Sequence, residues 1–407
     1  MARSAPRASG KVDVVETLPL EGVVVADFSR VLAGPYATML LADLGATVIK
    51  VERAGSGDDT RSWGPPWTET GSAYFESVNR NKRSIALDLT DEQDRKAARE
   101  LVARADVLVE NFKSGALAKH GLDYASAREL NPGLIYTSIS GFGSKEGADL
   151  PGYDFVVQAL GGLMSITGEP GRQPMKVGVA VVDVLTGKDA AMGVLTALRH
   201  RDRTGRGQHI EVNLLSSLLG SLANQTSSLL TTGISPQRMG NRHPSIAPYE
   251  TLRCEDAFLA VAVGNDAQFR ALCEALGLLA MADDERFSSN AQRVANREEL
   301  VRQLENVLGA RTAADWQQRL TAAGIACGQV NDLSGAVHLA ESLGLDPIVD
   351  PGGGSAVQVR NPIGFSGHDS AEVVAPPQLG EHTKEVLGWL EDSEQPLPPI
   401  SSRRSST

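Results

Sequence analysis

The stretch from Leu20 to Glu52 constrains the fold more than any other part of the chain. Leu20-Glu-Gly-Val-Val-Val-Ala-Asp-Phe28 is a short apolar run with the character of a strand. Within Ser29 to Gly45, Gly34-Pro35 then places a turn just before a helix, with the proline near the first helical position, and Gly45 ends that helix. Ala46-Thr-Val-Ile-Lys-Val-Glu52 returns to a strand. A strand, a helix and a strand in this order suit a parallel sheet, because the helix carries the chain back to start the second strand in the same direction.

The pattern continues. Ser84–Leu89, Asp106–Glu110, Gly133–Ser140 and Gln208–Leu214 read as further strands. Helices are expected over about Asp91–Ala105, Tyr153–Gly161, Thr186–Arg201 and Leu215–Thr231. The class is therefore α/β. With 407 residues, two domains are expected, and the composition shifts after Ile246. Residues 18–231 form a large domain, 232–245 a linker, 246–331 a small α+β domain, and 332–393 a linker and a return to the large domain. Residues 1–17 and 394–407 read as flexible ends.

Several function classes are excluded or disfavoured. A net charge of −11 argues against a broad nucleic-acid face. No run of 18 apolar residues is present, so no membrane span is expected, and the first residues lack the apolar core of a secretory signal. Cys254, Cys273 and Cys327 have neither metal-type nor disulfide-framework spacing, so no metal is expected and the cytoplasm is the expected compartment. The glycines after the first strand do not form G-x-G-x-x-G. In Gly141-Phe-Gly143 the third glycine, Gly147, comes one residue late with no helix behind it, so that segment reads as a loop.

The stretch Lys176-Val-Gly-Val-Ala-Val-Val-Asp183 holds the most informative carboxylate. Val177, Val179 and Val181 alternate with small residues, as in a buried strand, and a helical pattern follows. Asp183 is thus expected where a strand ends and a helix begins, a place where open α/β sheets bind ligands. Locally, a reactive carboxylate and a simple helix N-cap both remain open. Arg53 and the Asn111–Lys113 turn close two strands, with Lys119 nearby, and clustered cations at strand ends suit phosphates. The basic run Asn79-Arg-Asn-Lys-Arg83 reads as a solvated surface.

Taken in order, Asp27-Phe-Ser-Arg-Val-Leu-Ala-Gly-Pro35, Leu44–Arg53, Asn79–Ile85, Val109-Glu-Asn-Phe112, Gly152–Ala159 and Thr204-Gly-Arg-Gly-Gln208 resemble the class III CoA-transferases, from about Leu18 to Leu390. The resemblance implies a Rossmann-like large domain built from both chain ends, a smaller inserted domain and an interlocked homodimer. It places the nucleophile at Asp183, although Val182 and Val184 replace the flanking residues of formyl-CoA transferase. CoA-contacting positions fall on Leu32, Ala33, Arg53, Leu87, Asp88, Leu89, Thr90, Asn111, Phe112, Lys113, Lys119 and Tyr153. Lys119 is an arginine in formyl-CoA transferase, so the charge is kept and the planar fork is lost.

The resemblance also places Asp154 beside the substrate, and Gly240-Asn-Arg-His-Pro244 where that enzyme has a glycine-rich lid. Within the family, Met239–Tyr249 and Val263–Phe269 most resemble the succinate–hydroxymethylglutarate branch. This implies succinyl-CoA as donor and a dicarboxylic acid as acceptor, with Gly240, Arg242 and His243 at the substrate. CoA enters as a thioester substrate, with no bound cofactor. The expected chemistry is attack by Asp183, already ionised at an ordinary carboxylate pKa, through an anhydride and an aspartyl-CoA thioester, with oxyanion donors on glycine-rich turns. A racemase branch pairs an Asp with a His. That His falls at Tyr153, a poor base near neutrality, so the transferase reading is preferred. A CoA-binding protein without catalysis is the remaining alternative.

Overall fold

The structure, a computed structural model, describes residues 17–368, 370–392, 397 and 400. Both ends read as flexible in the sequence therefore lie almost wholly outside the described residues. The chain divides into two compact units. One comprises residues up to Val157, Ala180–Ser221 and the chain from Asp346 onward; the other comprises Gln158–Val179 and Leu222–Leu345. Residues 158–179, 222–231 and 332–345 thus cluster differently from the expected division.

In the first unit, among the described residues, six strands form one parallel sheet. They are β1 (Val24–Asp27), β2 (Thr47–Arg53), β3 (Lys82–Leu87), β4 (Val107–Glu110), β5 (Ile135–Ser140) and β6 (Gln208–Asn213). Their spatial order is β3-β2-β1-β4-β5-β6, with every neighbouring pair parallel. β1 and β4 are buried along nearly their whole length, the near-continuous apolar type that a sheet covered on both faces demands.

Ile49, Ile85 and Leu108 pack with Leu101 and Val102 of the helix Glu92–Arg104. Each such side chain contributes about 1.5–3 kcal/mol on burial. That helix starts on Asp91, whose carboxylate accepts from the N–H groups of Gln93 and Asp94. Val386 and Leu390, from the helix Thr383–Glu391, join the same core, so the C-terminal segment returns to this sheet.

Two readings of the sequence are corrected here. The valines of 177–182 form no strand. The chain is irregular up to Ala180, and a 24-residue helix, Val181–Thr204, begins at once. Val179 is exposed, so its alternation with small residues did not report burial. The second correction is the basic run. Asn79, Arg80, Asn81, Lys82 and Arg83 are all buried. Lys82 Nζ sits 3.1 Å from Asp27 and also donates to Pro35 O and Asn79 Oδ1. Arg80 forms a two-bonded pair with Asp43, and Arg83 pairs with Glu385. Charges that meet opposite charges and carbonyls can be buried, and sequence composition does not reveal those partners. Smaller differences follow the same logic. The helix expected over Leu215–Thr231 is two, Leu214–Ser221 and Ala223–Thr232, and Lys119 lies in one 3-10 turn, Ala118–His120.

The second unit carries an antiparallel sheet of β7 (Tyr249–Arg253), β8 (Phe258–Ala262) and β9 (Ala326–Gln329). Leu252, Leu259 and Val261 pack against Phe269, Leu300, Leu304 and Trp316 from its helices. Cys254 and Cys273 are buried free thiols and Cys327 is half-buried.

Candidate active site

The sheet reverses its order between β1 and β4, and ligands of doubly wound sheets bind beyond the carboxyl ends of such neighbours. A cavity of about 330 Å³ opens there. It is lined by the residues that leave β1 (Arg30, Val31, Leu32, Ala33), by those that leave β4 (Asn111, Phe112, Lys113), and by Tyr153 and Asp183. Seven residues singled out from the sequence, Leu32, Ala33, Asn111, Phe112, Lys113, Tyr153 and Asp183, therefore meet around one space.

The wall from β1 is shaped by buried charge. Lys50 forms a 2.9 Å pair with Asp58, both side chains being fully buried. Each oxygen of Asp58 lies 3.3 Å from Val31 N, which donates to it. Asn111 brackets the preceding residue, accepting from Arg30 N at 2.8 Å and donating to Arg30 O at 2.7 Å. Held from both sides, Val31 adopts φ of 70°, which a β-branched residue rarely takes. The helix Ala33–Asp43 starts directly after it with no side-chain cap. Among the described residues no acceptor meets the N–H groups of Leu32 and Ala33. Asn111 is thus committed to the loop through its amide, and what it offers the cavity is position.

Asp183 lies in the first turn of the helix Val181–Thr204 and is half-buried. Ala180 cannot cap that helix. Buried Asp154 does so from another segment, its Oδ1 accepting from Val182 N at 2.8 Å and Asp183 N at 3.2 Å. A helix N-terminus favours a carboxylate, but here Asp154 already takes the free N–H groups. Burial, and then the nearby Asp154 carboxylate, push Asp183 up to about 7. This corrects the expectation of an ordinary, fully ionised carboxylate. Gly187, one turn further, sits against the neighbouring helix. A Cβ there would lie 2.7 Å from Ala33 O, so only glycine lets the helix bearing Asp183 come this close to Leu32 and Ala33.

The remaining predicted residues are placed elsewhere. Arg53 and Leu87 end β2 and β3, and Asp88 accepts from Thr90 N in the turn after β3, with Leu89 between them. They share the carboxyl edge of the sheet without lining this cavity, and neither does Lys119. Gly240, Arg242 and His243 belong to the second unit. There Arg242 pairs with Glu298 at 2.5 Å and approaches Glu250 at 3.6 Å, while His243 Nδ1 accepts from Ser245 N.

Sequence reasoning missed Arg30, Val31 and Tyr74. The first two sit inside the motif Asp27–Pro35 as undistinguished members. Tyr74, in the short helix Ala73–Glu76, packs edge-on against Trp63. Burial and the carboxylates of Asp183, Asp154 and Asp58 push its hydroxyl up to about 12, so it stays a hydrogen-bond donor at neutral pH. Nothing periodic in the sequence marks it.

Fold and site together define a doubly wound α/β protein with a perturbed carboxylate beside a cavity at the switch point. The chain belongs to CoA-transferase family III, whose profile matches residues 20–383. It is similar to the succinate–glutarate CoA-transferase of Agrobacterium fabrum, at 46% identity over 94% of this chain and 98% of that protein. It is also similar to the succinyl-CoA:glutarate CoA-transferase of Mus musculus, at 40% identity over 91% of this chain and 86% of that protein. The crystal structure of a CAIB/BAIF family protein from Brucella suis superposes with a TM-score of 0.83 at 44% identity, covering 92% and 99% of the two chains. The chain is therefore a CoA-transferase enzyme, with acyl-CoA and carboxylate as its substrate classes.

Proposed function

We propose that the protein moves CoA from succinyl-CoA to a second dicarboxylic acid through covalent intermediates on Asp183. The observation that carries this reading is the half-buried carboxylate of Asp183 in the cavity beyond β1 and β4, on a helix start capped by Asp154, with Leu32 and Ala33, whose N–H groups meet no acceptor among the described residues, lining the same cavity. The activities for which the relatives are named, succinate with glutarate, support the substrate pair.

The carboxylate of Asp183 attacks the thioester carbonyl. The C–S bond breaks, CoA leaves as thiolate, and a mixed anhydride remains. The thiolate attacks the aspartyl carbonyl, releasing the donor acid as carboxylate and leaving an aspartyl-CoA thioester. The acceptor carboxylate then displaces the thiolate to form a new anhydride. Thiolate attack on the acceptor's carbonyl yields the new acyl-CoA and restores Asp183. No net proton moves, so the site needs no separate base, only an ionised Asp183 and donors for each oxyanion. We assign those donors to Leu32 and Ala33 N–H rather than to glycine-rich turns, with Tyr74 as a third. Arg53, Leu87–Thr90, Asn111–Lys113 and Lys119 lie along the strand ends on which the nucleotide end of CoA would rest.

A homodimer, in the interlocked form, completes this reading. Leu229 and Leu230 are exposed on a helix, Ala223–Thr232, with no buried residue, and Leu333 and Leu339 are exposed on another, Leu333–Ser342, with Leu343 exposed just beyond its end. Such faces favour a covering partner. We place the enzyme in the cytoplasm, in keeping with its sparse, unpaired cysteines.

The test is acyl exchange from succinyl-CoA to a panel of acids, wild type beside Asp183→Ala. Transfer abolished by the substitution is the expected result. α-Proton exchange on a branched acyl-CoA without transfer would establish the racemase reading instead. Transfer surviving in the variant would leave Asp183 as a helix-end residue only.

A further inference from the structure

We infer that Arg30 recognises the second carboxylate of the dicarboxylic substrate, and so sets the acid specificity of the Asp183 cavity. The inference rests on the transferase reading above.

A dicarboxylic acid reacts through one carboxylate and buries the other only a few carbons away. A buried carboxylate without a partner is costly, so the cavity needs a cation near the nucleophile. Two cations line this cavity, Arg30 and Lys113. Lys113 stands at the rim, with its side chain 67% exposed and already 2.9 Å from Asp149. The Arg30 side chain is only 32% exposed. The phosphates of CoA are separated from the thioester by the whole pantetheine arm and suit the rim. The second carboxylate of a short acid stays near the reacting carbon and suits the inner cation.

Arg30 is also incompletely satisfied. Its Nε is buried and has no hydrogen-bond partner. Among the described residues its one anionic contact is Asp59, half-exposed and 3.6 Å away, too long for a hydrogen bond. The guanidinium lies over the Phe112 ring, 4.8 Å from its centre. The backbone of Arg30 is clamped on both sides by Asn111. A guanidinium placed in this way, with none of its nitrogens hydrogen-bonded among the described residues, matches a carboxylate by two parallel bonds. Arg242, the other arginine considered for this role, already pairs with two glutamates of its own unit.

The test compares acids of equal length with and without the second carboxylate, glutarate against pentanoate, as acceptors in wild type, Arg30→Gln and Arg30→Lys. Arg30→Gln is expected to lower the ratio of kcat/KM for glutarate to that for pentanoate by about 10- to 100-fold, the range of a charged hydrogen-bonded contact. Arg30→Lys, which keeps charge without the fork, should recover part of the ratio. On the donor side, the preference for succinyl-CoA over butyryl-CoA should fall in parallel. Equal losses for both acids and both thioesters would assign Arg30 to CoA or to loop structure and overturn the inference, as would an unchanged ratio. If wild type moved CoA to no acid, the transferase reading itself would fail, an outcome separate from any property of Arg30.

Discussion

Two groups of charges lie a few residues apart in the first unit, and they end up opposite in character. Around Lys82, every charge is met. Lys82 faces Asp27, Lys50 faces Asp58, Arg61 faces Glu52 at 2.7 Å, and carbonyls and hydroxyls take the remaining bonds. Burial alone would raise Asp27, yet Lys82 and Lys50 hold it below its ordinary value. In the cavity above, charges are left open. Asp183 has a carboxylate rather than a cation as its charged neighbour and is pushed up to about 7, while Arg30 has a buried N–H without an acceptor. The satisfied group holds Val31 and the helix start in place. The unsatisfied group is where, in the proposed function, a substrate adds the missing partners. Buried charge by itself marks neither structure nor chemistry; the balance of partners separates them.

The largest effect that sharpens this contrast is loss of Asp183, the proposed nucleophile. Asp183→Asn should lower CoA transfer by roughly 10⁴-fold or more, with unchanged circular dichroism. The same variant should unfold at a slightly higher temperature at pH 8. The sign follows from linkage: a raised folded pKa means that stability declines as pH rises from about 4 to about 7, and removing the group relieves that loss. Next in size, Lys82→Met leaves Asp27 buried without its cation and should cost about 3–5 kcal/mol in urea unfolding. The pH profile of any folded fraction should stay unmoved. A large activity loss with intact stability would erase the distinction between the two groups.

Gly187→Ala places a methyl against Ala33 O and pushes the two helices apart. A loss in kcat of about 10- to 100-fold is expected with little change in KM for the acyl-CoA. Smaller still is the pH response. kcat/KM should rise with pH along a limb near 7, leaving about a tenth of the maximum at pH 6. Asp154→Asn keeps an oxygen for the N–H groups of Val182 and Asp183 but removes the like charge. It should move the limb to lower pH without restoring an ordinary value, because burial remains the larger cause. A limb that does not move would exclude Asp154 as a source of the shift.

Much of the frame was legible in the chain itself. The largely buried apolar runs of β1, β2 and β4 and the glycine and proline signals between them point to a parallel α/β sheet, because such strands leave few other readings. Leu32 and Ala33 of the motif Asp27–Pro35, and the turn Asn111–Lys113, were expected at the ligand from the family resemblance, and they line the cavity. Local pattern failed where long-range partners decide. Val177 to Val181 alternate like a strand, but the edge of a sheet was not there to receive them, and Asp154 instead starts a helix at Val181. Asn79–Arg83 is hydrophilic in composition and buried in fact, since Asp27, Asp43 and Glu385 come from distant parts of the chain.

The sequence by itself determined the fold class and the family, and it singled out Asp183 as a candidate, because each depends on pattern along the chain. Only the tertiary structure decided the state of that carboxylate, the left-handed Val31 and the unpartnered Nε of Arg30. These depend on what approaches from elsewhere, and a pKa or an unmet hydrogen bond is set by distance and burial rather than by order in the chain.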